Sequence, residues 1–153
     1  VTASDNAIQF LDSKSDEYAA MSNTIWALAE LGYQEKETSK LMQTHLKQEN
    51  FSIDYGVAEI PTDFIASYGS GKPIIAILAE MDELPGRSQD AKPERKIIKE
   101  EMPGPACGHN FFGNGSIAAA VAVKNWLIKH GTTVTIRLYG NPAEEGESGQ
   151  VYI

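Results

Sequence analysis

Residues 73–85 read P-I-I-A-I-L-A-E-M-D-E-L-P. The run 73–80 is apolar up to its last residue. It is entered through Gly71 and Pro73 and left through Leu84-Pro85, which makes it the clearest strand in the chain. Side chains alternate faces along a strand, so Glu80 and Asp82 fall on one side at its carboxyl end. In open α/β sheets, reacting groups gather at that end of the strands. The stretch therefore predicts an α/β layered domain with its chemistry where this strand runs out.

Upstream, 63–68 is strand-like and Gly69-Ser70-Gly71 is a turn signal, so 63–68 and 74–80 are predicted to form a hairpin. A shorter strand is predicted at 52–56. Before these come two helices. One covers 4–31, with Ala7, Ile8, Phe10, Leu11, Tyr18, Met21, Ile25 and Leu28 at helical spacing, Ser4 or Asp5 as cap and Gly32 as its stop. The other covers 35–48, with Leu41, Met42, His45 and Leu46 on one side. Downstream, 86–105 is Pro-rich and charged and is predicted to be a long exposed loop. A third helix is predicted from Asn110, its cap, to Lys129, burying Ala119, Ala120, Val123, Trp126 and Leu127. Residues 133–139 (T-V-T-I-R-L-Y) alternate as a strand. Helices flanking strands place the chain, read as one domain over 1–153, in the layered α/β class.

The bulk properties narrow the partners. With 153 residues, 42% of them apolar, the chain can bury a real core. Its net charge of −8 and pI near 4.8 make it a poor partner for nucleic acid or an anionic membrane. No run reaches the ~18 consecutive apolar residues that span a bilayer. A single cysteine excludes an internal disulfide. The chain begins at Val1, as expected of a trimmed chain; a removed signal peptide is the alternative. A cytoplasmic location is expected, with export as its alternative.

The second strand runs out into N-P-A-E-E-G (141–146), and between the two strands lies P-A-C-G-H-N (105–110). In an extended segment Cys107 and His109 point the same way, and Gly108 between them has no side chain to block an approaching ion. Thiolate, imidazole and carboxylate together suit a first-row divalent metal. Of two adjacent carboxylates, one can bind the ion while the other stays free as a general base. Taken singly the pieces read differently: Cys107 as a small buried hydrophobe, Glu144-Glu145 as solvated surface. Spacing alone leaves both readings open. His45, on the apolar side of a helix, and His130, at a helix end, read as structural.

Other motifs fail on context. G-N-G-S-I-A (113–118) has the spacing of a dinucleotide loop but follows no strand, and its glycines read instead as permitting close helix–sheet packing. Y-G-S-G-K (68–72) has the wrong spacing for a phosphate loop, and no G-x-S-x-G elbow exists. A Cys107–His109 thiol dyad lacks a third group to orient the base.

The ordered set A-E-L-G-Y-Q-E (29–35), I-P-T-D-F-I-A-S-Y-G-S-G-K-P (60–73), L-A-E-M-D-E-L-P-G-R-S-Q (78–89), A-C-G-H-N (106–110) and Y-G-N-P-A-E-E-G-E-S-G (139–149) resembles the metallopeptidase M20 amidohydrolases, in particular their aminobenzoyl-glutamate branch. The resemblance runs from about residue 20 onward. It implies an α-β-α catalytic domain of M20 type, of which only the N-terminal part is present and from which the lid and dimerisation domain is absent. It implies two divalent metal ions, zinc or manganese, a small-molecule N-acyl or N-aroyl amino acid substrate, and a homodimer for the full-length protein. Cys107, His109 and Glu145 match metal-ligand positions, Glu144 the general base, and Asp82 the acid behind the site, with Glu80 as a further candidate there. Two departures stand out. Pro105 replaces a histidine that often precedes the C-G-H motif, and Asn110 stands where many relatives carry Asp. The fragment by itself is expected to be inactive. The alternative is a non-catalytic α/β binding or assembly module derived from that fold.

Overall fold

The computed structural model describes residues 3–152. In place of one helix over 4–31 there are two, α1 (Ala3–Ser13) and α2 (Ser15–Leu28). The break falls at Lys14, whose backbone leaves helical geometry (φ −110°, ψ 5°), while the Ser13 hydroxyl folds back to donate to the Phe10 carbonyl at 2.6 Å. Ser4 and Asp5, expected as caps, lie inside α1. Helix α2 stops before Gly32 because Ala29 takes a left-handed conformation (φ 44°) and donates its N–H to Ile25. Helix α3 (Lys36–Gln48) follows the sequence reading and buries Met42, His45 and Leu46.

Strands β1 (Ser52–Tyr55), β2 (Phe64–Gly69), β3 (Ile74–Glu80) and β4 (Thr135–Asn141) form one sheet in the order β1-β2-β4-β3. The expected hairpin of 63–68 with 74–80 is therefore absent. Strand β4 lies between them, antiparallel to β2 (Ala66 opposite Leu138) and parallel to β3 (Ile77 opposite Leu138). The central place goes to the strand with no exposed residue: Ile136 and Leu138 are buried on one face, and Arg137 and Tyr139 are half-covered on the other. Strand β3 is the most apolar run yet forms an edge, with Ile74, Ile75 and Leu78 exposed. A parallel β3–β4 pair needs a crossover, and helix α4 (His109–His130) supplies it, packing on β3 and β4.

Helix α4 starts one residue earlier than expected. Gly108, at φ 87°, turns the chain into it, a conformation glycine adopts without penalty. Asn110 is not the cap. It sits buried in the first turn and donates its side-chain N–H to the Ser22 hydroxyl at 2.9 Å, tying α4 to α2. The buried line of α4 runs through Gly113, Ile117, Ala120, Val121, Lys124 and Leu127, whereas Ala119 and Val123 are exposed and Trp126 half-buried. Of the expected stripe, Ala120 and Leu127 lie on this line, which also includes a lysine. Lys124 is satisfied there by the carbonyl and carboxylate of Glu49, at 2.8 and 2.6 Å. One core of Ile25, Met42, Leu46, Phe64, Met81, Ile117, Val121, Ile136 and Leu138 joins the helices to the sheet.

Residues 86–105 contain no helix or strand. Their ends are held, with Leu84 bridged to Gly104 and the Ser88 N–H donating to Met102, while 91–102 lie exposed. A short helix α5 (Glu144–Glu147) and a 3-10 turn (Gly149–Tyr152) follow β4. Among the described residues no helix is long and apolar enough to cross a membrane.

Candidate metal centre

The exits of β3 and β4 and the start of α4 converge on His109, which is buried. Its Nδ1 lies 2.6 Å from the Asp82 carbonyl and 3.4 Å from Asp82 Oδ1. Its Nε2 faces Glu80 at 3.1 Å, Glu145 at 3.7 Å and Glu144 at 3.8 Å. A proton on Nδ1 would be held by the Asp82 carbonyl, which leaves the Nε2 lone pair for an electrophile. Glu80 and Asp82, expected on one side of the strand end, thus address opposite nitrogens of one imidazole.

Cys107 and His109 converge, but not through an extended segment, because Gly108 turns and His109 opens a helix. Cys107 is exposed rather than a buried hydrophobe. Its sulfur, a ring nitrogen of His109 and an oxygen of Glu145 lie within 4.8 Å of one another. A second group, Glu80, His109 and Glu144, meets the same limit. The two triads share His109, whose single free Nε2 lone pair serves one cation at a time, so they are two ligand sets around one ring nitrogen. Glu144 and Glu145 are not surface acids but face this imidazole. They do so because Ala143 takes a left-handed conformation (φ 55°), which swings the chain from β4 into α5.

That turn is held from below. Asp82, buried, accepts the backbone N–H groups of Glu144 and Glu145, each at 3.0 Å. Glu35, also buried, accepts the Ala143 N–H at 2.8 Å and the Thr62 hydroxyl at 3.1 Å. Nothing in the sequence reading singled out Glu35. Its only local signal is a place just before α3, where an acid reads as an ordinary helix start.

The electrostatics fit a divalent cation. Burial works against a charge on His109, but the Asp82 side chain and carbonyl outweigh it and, with Glu80, raise the imidazole to about 9. The Glu145 carboxylate beside Cys107, with burial and the charges of Glu144 and Glu83, pushes the thiol up to about 11. Burial raises Glu80, with His109 opposing. Burial also pushes Glu83 up to about 8. Burial would raise Asp82 too, yet the hydrogen bonds from His109 and the two backbone N–H groups pull it below the usual range. Glu145 Oε1 is buried with no hydrogen-bond partner. An unpaired buried carboxylate oxygen beside sulfur and imidazole donors is the complement of a divalent ion.

No family model matches the chain. A p-aminobenzoyl-glutamate hydrolase subunit of Escherichia coli (strain K12) is 37% identical over 144 residues, covering 94% of this chain and 30% of that protein. N-acetylcysteine deacetylase of Bacillus subtilis (strain 168) is 32% identical over 122 residues, covering 78% and 31%. The crystal structure of a dinuclear metal-binding M20 peptidase from Bacillus subtilis superposes with a TM-score of 0.77 at 27% identity, over 92% of this chain and 39% of that one. The chain spans about 30% of the length of the curated relatives it matches.

Proposed function

This chain belongs to the metallopeptidase M20 family, and we propose that the protein carrying it is a metal-dependent amidohydrolase of N-acyl or N-aroyl amino acids, p-aminobenzoyl-glutamate-like compounds included. The observation that carries the reading is the convergence of Cys107, His109 and Glu145 within 4.8 Å, with Glu80 and Glu144 in a second triad on the same imidazole. The names of the two curated relatives, a hydrolase of an aroyl amino acid and a deacetylase of an N-acyl one, support the substrate class.

Two divalent ions, zinc or manganese, would supply the Lewis acidity that polarises an amide carbonyl and lowers the pKa of a water. Cys107, His109 and Glu145 would hold such an ion. Glu144, next to Glu145 and only partly covered, can reach a water at the site. In this reading it takes the water's proton as it attacks the carbonyl carbon and passes that proton to the leaving amine. Asp82 fixes the ring of His109 and the backbone under both glutamates, so the acceptor and the ligands keep one geometry through the reaction. The reading extends to a cytoplasmic homodimer. It also holds the 153-residue chain alone inactive, since it spans about 30% of its relatives' length.

The test is Glu144→Ala in the full-length protein. Loss of hydrolysis of p-aminobenzoyl-glutamate and N-acetyl amino acids, with metal content retained, is expected. A wild-type protein that binds zinc and manganese but hydrolyses none of these substrates would favour the non-catalytic module.

A further inference from the structure

Glu83 has no part in the chemistry above, yet it is the acid least at ease in this region. It is 2% exposed and neither carboxylate oxygen has a hydrogen-bond partner. Its backbone is anchored, because its N–H donates to the Glu30 carbonyl at 2.9 Å. The Glu30 side chain in turn accepts the N–H groups of Glu37 and Thr38 at the start of α3. Glu83 lines a cavity of about 300 Å³ together with Asp82, Leu84, Ala143 and Glu145. The charges that act on it are those of His109, Asp82 and Glu145, and its own charge reaches Cys107.

We propose that Glu83 is a charge-compensating positioning residue of the metal centre, its buried carboxylate left unpartnered so that a divalent cation at the Cys107–His109–Glu145 triad supplies its counter-charge. The inference rests on the metal reading above. Two other buried acids set the contrast. Glu35 is equally buried but takes hydrogen bonds from Ala143 and Thr62, so this fold can satisfy an acid where nothing else is to bind. Asp63 is buried and unpartnered as well, but it does not line the cavity that Glu83 shares with Glu145. Of these three acids, Glu83 alone combines an unsatisfied carboxylate with the electrostatic reach of the candidate ligands. The imbalance is general here: among the described residues, Glu80, Asp82, Glu83, Glu144 and Glu145 share one imidazole as their nearby cationic group. A buried negative charge without a partner is costly, and a bound cation removes that cost.

The experiment titrates the metal-free full-length protein with manganese chloride by calorimetry and follows thermal unfolding with and without the ion. Glu83→Gln removes the charge and keeps the shape. It is expected to weaken manganese binding by about tenfold or more, the usual effect of altering a group that supports a ligand set. Its melting temperature is expected to rise less than that of wild type on adding manganese. Glu83→Asp, which keeps the charge, is expected to retain most of the affinity. Equal affinity in wild type and Glu83→Gln overturns this inference and leaves the metal reading standing. A wild type that binds no divalent ion sinks both.

Discussion

Asp82 and Glu145 are joined side chain to backbone: Asp82 Oδ2 accepts the Glu145 N–H at 3.0 Å, beside the matching bond from Glu144 to Oδ1. Both carboxylate oxygens are thereby used, and the carbonyl of the same residue faces His109 Nδ1 at 2.6 Å. One residue thus links the exits of β3 and β4 to the start of α4. Asp82→Asn places an amide NH2 against a backbone N–H and removes the charge. It is expected to destabilise the full-length protein by about 2 kcal/mol, as for a buried hydrogen bond to a charged group left unmade. Urea denaturation in the absence of metal measures this. Coincident curves would mean that the turn does not depend on Asp82.

The closeness of α4 to β3 predicts a contrast between two glycines. A Cβ on Gly113 would overlap the carbonyl oxygen of Glu80 and the Met42 methyl, whereas one on Gly115 would meet nothing. Gly113→Ala must push the helix off the strand end, and a cost of roughly 1–3 kcal/mol is expected. Gly115→Ala gains helix propensity and is expected to stabilise by about 0.5–1 kcal/mol. Thermal unfolding of the two variants decides it: effects of the same sign would show that the helix is not seated on Gly113.

What was legible in the sequence follows from where the information lies. The residues named from A-C-G-H and A-E-E-G meet at one imidazole; their spacing left a bland reading open, and it was the ordered set of motifs that singled them out. Strand order was not legible. An apolar run such as 74–80 announces a strand but not its neighbours, and Gly69–Gly71 suits a hairpin as well as a crossing. The use of Asp82 as a double acceptor was hidden too, because the N–H groups it serves lie more than sixty residues away in the chain. Ala143 gave no warning either. A left-handed alanine is disfavoured locally and is held here by the Glu35 carboxylate. The burial of Lys124 was not legible either, because hydropathy places lysine outside and the Glu49 contact that makes it tolerable lies 75 residues away in the chain.

Asp63 predicts a pH-dependent gain. It is fully buried, and burial raises its carboxyl from 3.8 to about 7, with the Phe64 amide pulling the other way without closing a full hydrogen bond. The folded state therefore keeps a proton that the unfolded chain releases near 3.8. The unfolded chain binds fewer protons between these values, so stability is full below the lower one and is lost as pH rises through the upper. Asp63→Asn, neutral throughout, is expected to exceed wild type at pH 8 by on the order of 2–4 kcal/mol, since a tenfold change in proton affinity is worth about 1.4 kcal/mol. The difference should vanish near pH 4. Urea midpoints at the two pH values test this, and a gain of equal size at both would mean that Asp63 does not titrate with folding.

Lys124 predicts a loss that a second substitution restores. Its ammonium donates to the Glu49 carbonyl and carboxylate and lies 5.9 Å from the ring centroids of both Phe51 and Tyr68. Glu49 closes the C-terminal end of α3, where a cation is favoured by the helix dipole. Lys124→Met keeps the length of the side chain but leaves the Glu49 carboxylate without its partner. Breaking a buried pair from one side typically costs about 3–5 kcal/mol, and the lower end is expected because Glu49 is part-exposed. Glu49→Gln in the same chain removes the stranded charge, so the double variant is expected to be more stable than Lys124→Met alone. Chemical denaturation of the four proteins in this cycle gives the coupling directly. Additive losses would show that the two side chains act separately and that Lys124 is held in the core by packing against Phe51 and Tyr68 instead.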